Sequence, residues 1–170
     1  LRLLQGDVGC GKTVVAAMAL LAAVGAGHQG AFMAPTEVLA TQHHRVLTDL
    51  LSQMRDPPKV ALLTGSTKTA ERAQILEELN TGKIGIIVGT HALIHEKVVF
   101  NSLGISVVDE QHRFGVEQRA ALLSKGKLPP HMLTMSATPI PRTLAMTKFG
   151  EMALSVIDEK PAGRLPIITT

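Results

Sequence analysis

Eight residues near the start of the chain, Gly6-Asp7-Val8-Gly9-Cys10-Gly11-Lys12-Thr13, lie between a short apolar run, Leu1–Gln5, and a longer one, Val14–Val24. This is the pattern G-x-x-x-x-G-K-[ST] set between a strand and a helix, and few folds accommodate it. The glycines let the backbone curl until successive N–H groups converge on a phosphate. Lys12 then reaches the β- and γ-phosphates of a nucleotide, and the Thr13 hydroxyl helps hold Mg²⁺. The helix behind the loop adds the positive end of its dipole. An accidental match in 170 residues has a probability of roughly one per cent from average residue usage, and the strand–loop–helix order lowers it further. Nucleotide binding by Gly6–Thr13 is the first expectation.

Composition narrows the class. A chain of 170 residues suits one domain that buries about 70% of its unfolded surface. Hydrophobic residues make up 45% and charged ones 18%, the balance of a folded globule. The net charge of +3 permits a nucleic-acid partner without requiring one. The single cysteine excludes an internal disulfide framework and points to a reducing compartment, bacterial cytoplasm or an organelle, and against secretion. Lys12, the run Val14–Val24 and Gly25-Ala26-Gly27 together imitate a secretory signal. That run is too short to span a bilayer, so no membrane association is expected, and it reads better as a buried helix beneath the loop. Residues 1–157 are expected to form one nucleotide-binding lobe that opens inside its first strand, a sign of a longer protein. Residues 158–170, with Pro161, Gly163 and Pro166, read as a linker toward a further lobe.

Between those limits, apolar β-rich runs alternate with helical segments. Strands are predicted at Gly30–Ala34, Lys59–Leu63, Gly85–Gly89, Ile105–Asp109, His131–Met135 and Ala153–Ile157, after the first at Leu1–Gln5. Helices are predicted at Val14–Val24, Glu37–Leu51, Ala70–Asn80, Val116–Ser124 and Arg142–Phe149. Short apolar strands separated by helices imply an α/β fold with a mostly parallel sheet covered on both faces.

A nucleotide hydrolase needs an acid at the end of a buried strand. Ile105-Ser106-Val107-Val108-Asp109-Glu110 supplies an apolar run ending in two carboxylates. Asp109 would anchor Mg²⁺, and Glu110 would orient and deprotonate the attacking water. Ser155-Val156-Ile157-Asp158-Glu159 repeats the pattern but runs directly into the linker, where a solvated turn is the stronger reading. Asp109 is favoured.

Taken with these motifs, the chain resembles the superfamily 2 helicase motors of the RecG type over essentially its whole length. The resemblance rests on Leu3–Gly9, Ala34-Pro35-Thr36-Glu37, Leu62–Ser66, Val88-Gly89-Thr90-His91-Ala92-Leu93-Ile94, Asp109–Gly115 and Met135–Thr143 in that order. Transcription-repair coupling translocases, primosomal helicases and RNA helicases of the same superfamily share the layout, and Gln111-His112 before Arg113-Phe114-Gly115 is nearer the RecG pattern. The resemblance implies a RecA-like P-loop NTPase lobe that binds ATP and Mg²⁺ and acts on branched or forked duplex DNA. It implies contacts to the DNA backbone from Pro35, Thr36, Glu37, Thr64, Gly65, Ser66, Gly89, Thr90 and His91. It also implies a relay from nucleotide to DNA surface through Ser136, Ala137, Thr138 and Arg142, with His112 beside it as a catalytic residue. A second motor lobe supplies arginines from across a cleft in that family, so this lobe alone is expected to be nearly inactive.

The remaining residues carry less. With no Trp or Tyr and four Phe, the chain lacks the aromatics of a base-stacking platform, so a grip on backbone without sequence reading is expected. Cys10 fills a variable position of the loop. His91 and His95 are spaced like zinc ligands but lack partners, and His43-His44 read as part of a solvated helix. Lys68, Arg72, Lys83 and Lys97 are given no individual role. No Asn-Lys-x-Asp or Leu-Ser-Gly-Gly motif suggests a switch or transport ATPase, and intact Lys12, Thr13, Asp109 and Glu110 argue against a non-catalytic module.

Overall fold

A strand covered on both faces shows no alternation of burial along its length, and Gln29–Met33 is the clearest case: all five of its residues are buried. The computed structural model describes residues 1–110, 116–126, 128–138 and 152–159. Within them the order is β1 (Arg2–Gly6), α1 (Lys12–Gly25), β2 (Gln29–Met33), α2 (Glu37–Leu51), β3 (Val60–Leu63), α3 (Thr69–Asn80), β4 (Ile86–Gly89), a 3₁₀ turn (His91–Ile94), β5 (Leu103–Val108), α4 (Val116–Leu123), β6 (His131–Ser136) and β7 (Ala153–Ile157). The predicted helix Arg142–Phe149 and most of the predicted linker lie outside the described residues.

The strands form one sheet in the order β3-β4-β2-β5-β6-β1-β7, with every pairing parallel. Alternation of side-chain direction along each strand feeds two cores. Phe32, Ile86, Val88, Ile105, Val107, Leu133 and Met135 pack against Ala16, Ala17 and Leu20 of α1 and Ala40, Leu47 and Leu51 of α2. Ala31, Met33, Leu63, Ile87, Val108 and Met132 pack with Ile75 and Leu79 of α3, Leu93 of the 3₁₀ turn and Leu122 of α4. The expected sheet with helices on both faces is therefore the fold observed. The apolar segment that imitates a secretory signal is α1, lying on β1, β2 and β5. No helix among the described residues is long and apolar enough to cross a membrane.

Parallel strands put all their carboxyl ends on one edge of the sheet, where open α/β sheets bind ligands. At the opposite edge Gln29 ties neighbouring segments together. Its buried amide donates to the carbonyls of Leu79 and Ile84 and accepts from the N–H of Ser102.

Candidate nucleotide and nucleic-acid site

The carboxyl edge divides into two halves along the strand order. β5, β6 and β1 carry Asp109, Ser136–Thr138 and the phosphate loop, while β3, β4 and β2 carry Thr64–Ser66, Gly89–His91 and Pro35–Glu37. One strand, β6, separates β5 from β1, so the loop and the Asp109 carboxylate rise from strands about 10 Å apart.

On the nucleotide half, the loop takes its shape from Gly9 and Gly11, whose φ values of 82° and 98° lie in the left-handed region. Gly11 opens α1, and its carbonyl accepts from the N–H groups of Val14 and Val15. The Asp7 carboxylate turns back to accept the Val8 N–H at 2.7 Å. Lys12 arches over the loop, its ammonium donating to the carbonyls of Gly6 (2.7 Å) and Asp7 (2.8 Å). Asp7, Val8 and Gly9 are exposed, and Cys10, Gly11, Lys12 and Thr13 half-buried. Beside the loop, Gln5, Gly6, Asp7, Ala137, Val156 and Ile157 line an open recess of about 350 Å³. A larger cleft of about 720 Å³ opens near the amino edge, but its walls are mainly alanines, Leu103, Ile105, Leu128 and prolines, ill suited to a triphosphate.

Two strands from the loop, at the end of β5, Asp109 is 8% exposed. Its N–H extends the β2–β5 ladder by donating to the Met33 carbonyl at 2.9 Å. Its Oδ2 accepts from His43 Nε2 of α2, also at 2.9 Å. The His43 ring leans on Phe32 of β2, with centroids 4.4 Å apart and planes at 39°. Glu110 follows with φ of 49°, a left-handed backbone in a non-glycine residue, of the kind that costs roughly 1 kcal/mol and collects at functional sites. Asp158 and Glu159, the rival pair, are exposed at the end of edge strand β7. Between loop and carboxylates, Ser136 is buried, and its Oγ lies 2.9 Å from Thr138 Oγ1 and accepts the Thr138 N–H. His112 and Arg142 lie outside the described residues.

His43 is the residue that the sequence reading missed, for it is packed and bonded rather than solvated. Ala40, Leu47 and Leu51 are the buried positions of α2, and His43 and His44 both fall beside that stripe, so the helix pattern alone does not single out His43.

On the other half, side chains bond one another densely. Thr36 caps α2, its Oγ1 accepting the Leu39 N–H at 3.3 Å. Glu37 takes both the N–H (3.1 Å) and the hydroxyl (2.6 Å) of Ser66, and these bonds hold its carboxyl below the usual carboxylate range. Ser66 Oγ lies 2.9 Å from Thr64 Oγ1, the Thr64 N–H donates to Thr67, and the Arg72 guanidinium donates to the Thr64 carbonyl at 2.6 Å. Arg72, given no role from sequence, thus braces this turn. Of the nine residues expected to face nucleic acid, Thr36, Glu37, Gly65, Ser66 and His91 are exposed and Pro35 half-buried. Thr64, Gly89 and Thr90 are buried and build the frame beneath them. His91 begins the 3₁₀ turn and His95 follows its last residue, and no cluster of three or more metal-ligating side chains occurs among the described residues.

Comparison with known proteins agrees with this geometry. The family described as DEAD/DEAH box helicase matches residues 2–147. The chain is 59% identical over 169 residues to an ATP-dependent DNA helicase RecG of Synechocystis and 58% identical over 168 residues to that of Bacillus subtilis. It aligns over 99% of its own length but spans only 20% and 24% of theirs. A solved structure of RecG bound to a three-way DNA junction superposes with a TM-score of 0.82 at 46% identity, over 98% of this chain and 22% of that one. The fold is accordingly the RecA-like lobe of such motors.

Proposed function

The chain belongs to the DEAD/DEAH box helicase family, and from that premise we propose that it is the first, ATP-binding motor lobe of a RecG-type DNA helicase. In this reading the intact protein couples ATP hydrolysis to translocation on duplex DNA and to branch migration of forks and junctions. Residues 1–157 form the lobe, and 158–170 lead to a second one that completes the active site. The observation that carries the reading is the shared carboxyl edge: a full phosphate loop and the Asp109-Glu110 pair on one half, and a bonded polar surface on the other. RecG relatives above 50% identity speak against the coupling translocase and the RNA helicase. The single cysteine and the absence of any membrane-crossing helix among the described residues fit a cytoplasmic place.

The roles follow from position. Loop N–H groups cradle the β-phosphate at the start of α1. Lys12 exchanges the Gly6 and Asp7 carbonyls for the β- and γ-phosphates. Mg²⁺, which neutralises charge on the phosphate oxygens, suits the hard oxygens of Thr13 and Asp109. It takes one or two protein ligands beside a nucleotide rather than a protein cage, in keeping with the lack of a three-ligand cluster among the described residues. Glu110 orients the attacking water and accepts its proton. Ser136–Thr138, lying between loop and carboxylates, report the state of the site to Arg142 and the DNA surface, with His112 near the same relay. Thr36, Gly65, Ser66 and His91 face the DNA backbone over the buried frame of Thr64, Gly89 and Thr90, and Glu37 holds Ser66 from Pro35's side of the edge.

The test uses the full-length protein on a three-way DNA junction. Glu110→Gln should lower DNA-stimulated ATPase kcat by about 10²–10⁴-fold while ATP still binds, and Lys12→Ala should lose both binding and turnover. Junction-stimulated hydrolysis at the wild-type rate in Glu110→Gln would remove the proposed chemistry.

A further inference from the structure

His43 sits where the two halves of the carboxyl edge meet. It belongs to α2, the helix that opens at Thr36 and Glu37 on the nucleic-acid half, and it bonds Asp109 at the end of β5 on the nucleotide half. It lies about 9 Å along the helix axis from Glu37. Its side chain is 13% exposed, beside the buried Ala40, Leu47 and Leu51 of α2, and an imidazole so placed needs a polar partner to offset its desolvation. The partner is the Asp109 carboxylate, itself nearly buried and equally in need of a donor.

We propose that His43 is a positioning residue for Asp109: its Nε2–H holds Oδ2, fixing the carboxylate so that the remaining oxygen faces the Mg²⁺–nucleotide, and it ties that carboxylate to the helix bearing the nucleic-acid surface. The inference rests on Asp109 being the metal carboxylate. Asp109 is gripped at two points, by the Met33 carbonyl through its backbone and by His43 through its side chain. The backbone bond sets where β5 ends, but it leaves rotation about the side-chain bonds free. Phe32 sets the tilt of the imidazole from below. Partners of this kind, which act on a ligand rather than on the metal, are worth about 10–100-fold in metal affinity or activity.

Two substitutions separate the donor from the packing. His43→Phe keeps a ring against Phe32 and removes the N–H; His43→Gln returns an amide donor near the Nε2 position. In the full-length protein, the Mg²⁺ dependence of binding a fluorescent ATP analogue without DNA, and the kcat and KM for ATP with junction DNA, are measured for both and for Asp109→Asn. Expected results are a Mg²⁺ midpoint raised about 10–100-fold in His43→Phe, a fall in kcat larger than the rise in KM, and recovery of most of both in His43→Gln. Wild-type values in His43→Phe, with Asp109→Asn impaired, overturn the role of His43. An unaffected Mg²⁺ midpoint in Asp109→Asn instead overturns the metal assignment, and the inference falls with it. If His43→Phe does not fold, the imidazole ¹⁵N spectrum of the unaltered protein decides. A fixed Nε2–H tautomer at His43 supports the bond, and rapid exchange between tautomers overturns it.

Discussion

The two halves of the carboxyl edge are built on different principles. On the nucleotide half the loop is partly exposed backbone bent through left-handed glycines, and its lysine bonds, among the described residues, to its own loop carbonyls five and six residues away. On the nucleic-acid half, groups from the ends of β2 and β3 and from α3 bond one another, Glu37 to Ser66, Ser66 to Thr64, and Arg72 to the Thr64 carbonyl. The first is a site whose donors are there for a ligand to engage. The second is finished before any ligand arrives, as suits the proposed contact with a repeating phosphate backbone at little reorganisation. The same chemical change should therefore act on the two halves through different physics.

A methyl group added to glycine tests this most sharply. At Gly89, buried where β4 ends, an added Cβ would run into the carbonyl oxygen of Leu63, an atom of the neighbouring backbone that cannot step aside. Gly89→Ala should cost about 3 kcal/mol of stability, the upper end of overpacking, read as a lower urea midpoint with an unchanged slope. At Gly11 the same methyl group meets nothing within 4 Å, so only the backbone angle, φ of 98°, resists it. Gly11→Ala should cost about 1–2 kcal/mol, and the strain should be relieved by a shift of the loop, so that ATP affinity falls about tenfold. Equal losses of stability in the two variants would erase the distinction, as would a Gly11→Ala protein with wild-type ATP affinity.

The contrast also explains what could be read from the chain. All seven strands and four of the five predicted helices stand within about two residues of their expected ends, because each strand is a contiguous apolar run and each helix a longer segment set off by its own boundaries. The fifth, Arg142–Phe149, lies outside the described residues. The small shifts have local causes. α1 begins at Lys12 rather than Val14 because the turn at Gly11 already presents a free carbonyl to the helix. The loop is legible because its residues are contiguous. His43 and Arg72 were not, since what gives each its role lies elsewhere in the chain: Asp109 is 66 residues from His43, and the Thr64 carbonyl is joined to Arg72 only after the turn closes. The burial of Thr64, Gly89 and Thr90 likewise depends on neighbouring strands that no motif mentions.

The smallest effect expected concerns the brace itself. The Ser66 hydroxyl, followed by the N–H groups of Ser66 and Gly65 and by His91, stabilises the charged form of Glu37, and desolvation opposes them. The carboxyl therefore titrates below its ordinary value of 4.5. A depressed carboxylate contributes order that is complete above the ordinary value and is lost as the pH falls through the lower, folded one. Between about pH 5 and pH 7 the brace should be intact, and DNA affinity should show no step attributable to Glu37. A ¹³C carboxyl titration should place its midpoint under 4.5, and Ser66→Ala should move that midpoint upward. Because Glu37 is exposed, the change in stability should be slight, and the readout is the midpoint. A midpoint at or above 4.5 in the unaltered protein would mean that the bond to Ser66 does not persist in solution, and the nucleic-acid half would then be no more prebuilt than the loop.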